Sequence, residues 1–178
     1  MASSSCLFNK ISFEHSLPSP MFGMNGESCM IPAKVSFIGE PFVNGCSQLK
    51  SIEVSGQNTD YVTLDGVLYT SDMKMLLDYP AGKSPGECKI PAGVTRIAEY
   101  AFQDSAITSV SIPEGVEDIY GYFFHGCKML RRIDLPASLT AIEDCFDAMG
   151  SCDHWNASMF PRIIRFMLPW MACCMSKT

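Results

Sequence analysis

One recurrence limits what this chain can fold into. An aliphatic-proline pair stands at Ile31-Pro32, Ile90-Pro91, Ile112-Pro113 and Leu135-Pro136, and the last three are 22 and 23 residues apart. Four positions after each aliphatic residue come Val35, Val94, Val116 and Leu139, and seven positions after it come Ile38, Ile97, Ile119 and Ile142. An aromatic follows eleven or twelve positions on (Phe42, Phe102, Phe123 or Phe124, Phe146), and a small or sulfur residue at fifteen (Cys46, Ser105, Cys127, Gly150). A further unit without the proline is anchored at Val54, 23 residues after Ile31. Periods of this length mark repeat arrays, in which a unit buries its apolar face only by stacking on its neighbours. Equivalent residues are therefore predicted to stack in buried columns.

The segments that lead into the anchors read Leu49-x-x-Ile52-x-Val54, Ile107-x-x-Val110-x-Ile112 and Leu130-x-x-Ile133-x-Leu135, with Cys29 and Cys88 filling the place of Ile52 in their own units. The two-residue alternation at the end of each segment is that of a strand with one buried face. Proline then stops the pairing, because it has no N–H to give to a ladder. The skeleton L-x-x-L-x-L is that of a leucine-rich repeat. More closely, Ile90-Pro91-Ala92-Gly93-Val94-Thr95-Arg96-Ile97-Ala98-Glu99-Tyr100-Ala101-Phe102 and Phe124-His125-Gly126-Cys127-Lys128-Met129-Leu130-Arg131-Arg132-Ile133 resemble the units of the BspA-like leucine-rich repeats, over about Cys29 to Cys152.

From Val54 to Ile90 the spacing is 36 residues, longer than one unit. The apolar runs Val67 to Tyr69 and Met75 to Leu77 flank a polar turn, which predicts an inserted β-hairpin at about residues 60–82. The stretch from Asp65-Gly66-Val67-Leu68-Tyr69 to Tyr79-Pro80-Ala81-Gly82-Lys83 is similar to an insert of the same family. The expected fold is a β-rich repeat solenoid, a short right-handed leucine-rich-repeat superhelix of about four to five units carrying a β-hairpin insert. Residues 1–28 are read as an irregular arm or cap, 29–152 as the repeat domain and 153–178 as a non-repeat tail or cap.

Composition narrows the function. Apolar residues make up 47% and charged residues 18%, which argues for a packed core, and a net charge of -6 argues against a nucleic acid partner. Met1 to Pro20 has one lysine and no long apolar run, so no signal peptide is read there. Phe166 to Met175 is ten residues long and interrupted by Pro169, well short of the ~20 that span a bilayer, so membrane insertion is not expected.

Motifs that could carry chemistry are incomplete. Gly82-Lys83-Ser84 ends like a phosphate-binding loop, but Leu77 stands where the loop needs its first glycine. Cys145, Cys152, His154, Cys173 and Cys174 lack the paired spacing of a zinc site. His125 lies two residues from Cys127, but the repeat turns that thiol inward, where burial makes it inert. Asn156-Ala157-Ser158 is a sequon that random occurrence explains. No catalytic, metal or cofactor residues are assigned, and the protein is not read as an enzyme.

What remains is the outward side of the repeat strands, with Glu53, Lys89, Ser111 and Asp134 in one row and Ser51, Ser109 and Arg132 in another. Parallel rows on an extended sheet suit a protein-binding platform. Tyr61, Tyr69 and Tyr79 in the insert form a rival site, since tyrosine gives contact area at low entropy cost. The family resemblance implies a non-enzymatic, adhesion-type interaction module of a microbial cell surface, binding host, matrix or neighbouring-cell proteins. The alternatives are a metal-binding or cysteine-dependent enzyme built on the Cys-rich C-terminal region, a degenerate repeat fragment, and, given the N-terminal sequence, a cytoplasmic location.

Overall fold

A computed structural model describes Ser16–Leu17 and residues 26–142 apart from positions 40, 41, 44 and 120. The described chain runs through β1 (Ser16–Leu17), β2 (Ser28–Ile31), β3 (Phe37–Ile38), β4 (Ser51–Val54), β5 (Tyr61–Leu64) and β6 (Val67–Thr70). It continues through β7 (Met75–Asp78), β8 (Gly86–Lys89), β9 (Arg96–Ile97), β10 (Ile107–Ser111), β11 (Asp118–Ile119), β12 (Arg132–Asp134) and β13 (Ala141–Ile142). The described residues contain no helix. They form a β-solenoid of about four turns, the leucine-rich-repeat fold.

Each repeat supplies two short strands. One enters the aliphatic anchor, as in the parallel pair β2–β4 and the parallel sheet β12–β10–β8. The other sits at the seventh position, as β3, β9, β11 and β13 do, and pairs in parallel within β1–β3, β7–β9 and β11–β13. The intervening turn recurs because the carbonyls of Pro32, Pro91 and Pro113 each accept the N–H three residues on, from Val35, Val94 and Val116. In two of these turns the third residue is glycine with positive φ, Gly93 (97°) and Gly115 (99°), as a type II turn requires.

The column at the fourth position is buried throughout, at Val35, Val94, Val116 and Leu139. In the seventh-position column, Ile97 and Ile119 are buried, Ile38 is only half-buried beside an exposed Phe37, and the side chain of Ile142 lies outside the described residues. Leu76 joins this column although it belongs to no Ile-Pro unit, because β7 pairs in parallel with β9 and sets Leu76 level with Ile97.

The insert is woven into the solenoid. Around the turn at residues 71–74, β6 and β7 pair antiparallel, and β5 adds a further antiparallel strand through Asp65 (φ 52°) and Gly66 (φ 76°), a pair suited to a type I′ turn. At the entrance, Asn58 stands where Val54's unit would place its branched aliphatic residue. Its Nδ2 donates to the carbonyls of Pro32 (2.8 Å) and Val35 (2.9 Å), and its Oδ1 accepts from the N–H groups of Asp60 and Tyr61. A polar residue is tolerated there because its hydrogen bonds are satisfied.

The hairpin turn lies against β4. Ile52 N donates to Gly66 O at 2.8 Å, and Gly82 N donates to Leu49 O at 2.8 Å. Both glycines sit in close approaches: a β-carbon on Gly66 would come within 2.7 Å of Ser51 Oγ, and one on Gly82 within 2.6 Å of the Gln48 backbone. The Lys83 ammonium donates to the Asp65 carbonyl and ties the chain leaving the insert to the β5–β6 turn. As a result β4 and β8 do not pair, and the strands leading into the anchors form two sheets. The core divides with them. Leu68 packs in a cluster with Ile31, Val35, Phe42, Leu49 and Ile52, whereas its neighbours Val67 and Tyr69 pack in the larger cluster that runs on to Leu139.

Candidate protein-interaction face

Alternation along the strands decides which side chains meet solvent. In the sheet β12–β10–β8 the middle residues Cys88, Val110 and Ile133 stand level and are buried. Their flanking residues therefore point outward as two rows. Glu87, Ser109 and Arg132 form one row, and Lys89, Ser111 and Asp134 the other. Glu87, Lys89 and Arg132 are exposed, and Ser109, Ser111 and Asp134 are half-buried.

The repeat spacing puts Glu53 and Ser51 in these rows, but the structure sets them on the separate β2–β4 sheet, opposite Met30 and Ser28. Ser51 is also half-buried beneath the Gly66 turn. Glu87 was missed, and the available signal was its parity with Lys89 two residues later. Along each outer strand an exposed ion pair forms, Lys89–Glu87 at 3.8 Å and Arg132–Asp134 at 2.9 Å. The hydrogen bond that Arg132 Nε donates to the Asp134 carboxylate holds the guanidinium above its ordinary pKa.

The tyrosine site is not assembled on the surface. Tyr69 and Tyr79 are 2% and 5% exposed and belong to the larger core cluster, because β6 is covered on both faces and Tyr79 packs on Phe102 with ring centroids 5.3 Å apart. Burial raises the Tyr69 phenol well above its usual range and that of Tyr79 to about 12. Tyr61 is half-buried, its hydroxyl donating to Ser36 O at 3.2 Å.

The thiols are core elements. Cys29, Cys46, Cys88 and Cys127 are buried. Cys127 Sγ donates to Phe102 O at 3.0 Å and lies 3.3 Å from Ser105 Oγ, its counterpart one repeat earlier. Burial pushes the Cys88 thiol up to about 12. Among the described residues no cluster of His, Cys, Asp and Glu is placed to hold a metal ion, and no helix is long and apolar enough to cross a membrane. Cys145, Cys152, His154, Asn156, Cys173 and Cys174 lie outside the described residues.

This architecture defines a leucine-rich-repeat solenoid, and comparison with known proteins gives its type. Residues 82–163 match the BspA type leucine rich repeat region in six copies, so the chain carries a repeat region of that type. The turns ahead of the insert, which β2 and β4 build in the same register, lie outside the matched stretch. The chain is similar to the crystal structure of the pneumococcal vaccine antigen PcpA, with a TM-score of 0.62 and 30% identity over 65% of this chain and 29% of that one. It shares the fold of a leucine-rich repeat protein from Eubacterium ventriosum, with a TM-score of 0.54 and 21% identity over 74% of this chain and 48% of that one. The chain thus spans less than half the length of either protein. No curated protein matches it.

Proposed function

We propose that this chain is a non-enzymatic protein-interaction module of a microbial surface protein, and that it binds through the outward face of β8, β10 and β12. The observation that carries this reading is the pair of level rows, in which charged side chains flank small serines on one sheet. Such a face is polar and of mixed sign, which suits a protein partner better than a polyanion. The repeat region and the similarity to PcpA, described as a vaccine antigen, support a surface location and an adhesive role toward host, matrix or neighbouring-cell proteins.

The test is capture of matrix and cell-surface proteins by the immobilised full chain. Lys89→Glu with Arg132→Glu is expected to lower capture about tenfold without moving the thermal midpoint, because exposed substitutions usually change stability by less than ~0.5 kcal/mol. Glu53→Lys, on the other sheet, should have a smaller effect. If capture survives the double variant unchanged, this face is not the binding surface.

A further inference from the structure

The signs on this face are ordered. Glu87 and Arg132 end one row as minus and plus, Lys89 and Asp134 end the other as plus and minus, and Ser109 and Ser111 separate them. Like charges therefore occupy diagonal corners. A second copy turned by 180° about an axis in the face and parallel to the strands sets Glu87 against Arg132 and Lys89 against Asp134. Turned about the in-plane axis perpendicular to the strands, it sets Glu87 against Lys89 and Arg132 against Asp134. Both are two-fold operations, so one surface complements itself, as an isologous contact requires. The diagonal axes would oppose like charges.

Resting on the reading of this face as an interaction surface, we infer that it docks a second copy of this chain, face to face about one of these axes. The ion pairs along β8 and β12 do not oppose this. They are largely solvent-exposed, at 76% and 52% for Lys89 and Glu87 and 69% and 47% for Arg132 and Asp134, so exchanging them for intermolecular pairs costs little. The serines keep the centre low enough for the corners to meet. Three strands spaced ~4.8 Å apart make a patch well below the ~800 Å² per partner of a stable complex. The association is therefore weak and transient, and it operates at high local concentration.

Sedimentation of the full chain over a wide concentration range tests this. The expected result is a mass that rises with concentration at low salt and stays monomeric at ~1 M salt, where screening acts within ~3 Å. Lys89→Glu with Arg132→Glu makes all four corners negative, and Glu87→Lys with Asp134→Lys makes all four positive. Each double variant alone should be monomeric, and an equimolar mixture should associate at least as well as the wild type. Overall repulsion cannot explain that pattern, because replacing two carboxylates by two lysines moves the net charge from -6 to -2 and would favour association. Matching thermal midpoints confirm that the variants are folded. A wild type that stays monomeric at low salt overturns the proposal, as does either variant self-associating like the wild type. Should capture of other proteins still depend on Lys89 and Arg132 while the wild type is monomeric, self-docking fails and the interaction function stands.

Discussion

The turns before and after the insert use the same repeat but close their cores differently. In the later turns aromatic rings run from one repeat to the next, with Tyr79, Phe102 and Phe124 at centroid distances of 5.3 and 5.2 Å and Phe123 at 4.4 Å from Phe124. The earlier turns have Phe42 in their cluster and draw Leu68 from the insert to complete it. They also lean on Asp78, a buried carboxylate that accepts the Val43 N–H at 3.2 Å. Register is thus a property of the repeat, whereas closure of the small core is supplied from outside it.

The comparison breaks most sharply in the larger core. Ile119→Asp places an unpaired charge at a fully buried site and should cost more than about 4 kcal/mol, read by chemical denaturation. Leu68→Ala should cost about 2–5 kcal/mol, with amide exchange quickening at Val35 and Ile52 well before Val116. Equal quickening in both clusters would show that they open as one unit. Gly66→Ala should cost about 1–3 kcal/mol and expose the Ile52 amide, since its φ is positive and Ser51 occupies the space.

A pH titration sharpens the contrast, because Cys88 belongs to the larger cluster. Well below pH 9 its thiol is protonated whether the chain is folded or not. Above that the unfolded chain releases the proton while the folded one holds it to about 12, so stability falls as pH rises through this window. The loss from Cys88 at pH 10 should be about 1 kcal/mol, and Cys88→Val should lower the slope there, leaving the part that the buried Tyr69 and Tyr79 phenols add from about pH 10 upward. Smallest of all, Lys50→Ala removes an exposed 2.6 Å ion pair with Glu27 and should change the unfolding free energy by less than ~0.5 kcal/mol, read by chemical denaturation.

The residues that recur could be read from the sequence because one contact is made again at every turn. Val94, Val116 and Ile119 needed only the spacing. Leu76 escaped because it enters the same column without the Ile-Pro anchor. The division of the platform escaped because it depends on where the Asp65-Gly66 turn lands, a long-range contact with Ser51 and Ile52 that no local pattern encodes. The burial of Tyr69 was within reach. Val67-Leu68-Tyr69 is a continuous apolar run, the pattern of a strand covered on both faces.

The break between β4 and β8 has a mechanical meaning. Load applied along the stack of turns crosses the ladders of β8, β10 and β12 strand by strand, but between β4 and the later turns it passes through the insert. There the backbone links include Ile52 to Gly66 and Leu49 to Gly82, with Thr63 Oγ1 donating to Ile52 O at 2.7 Å. This seam is the perforation of the molecule. A pulling experiment should part it there first, freeing the early turns while the aromatic-stapled turns stay whole.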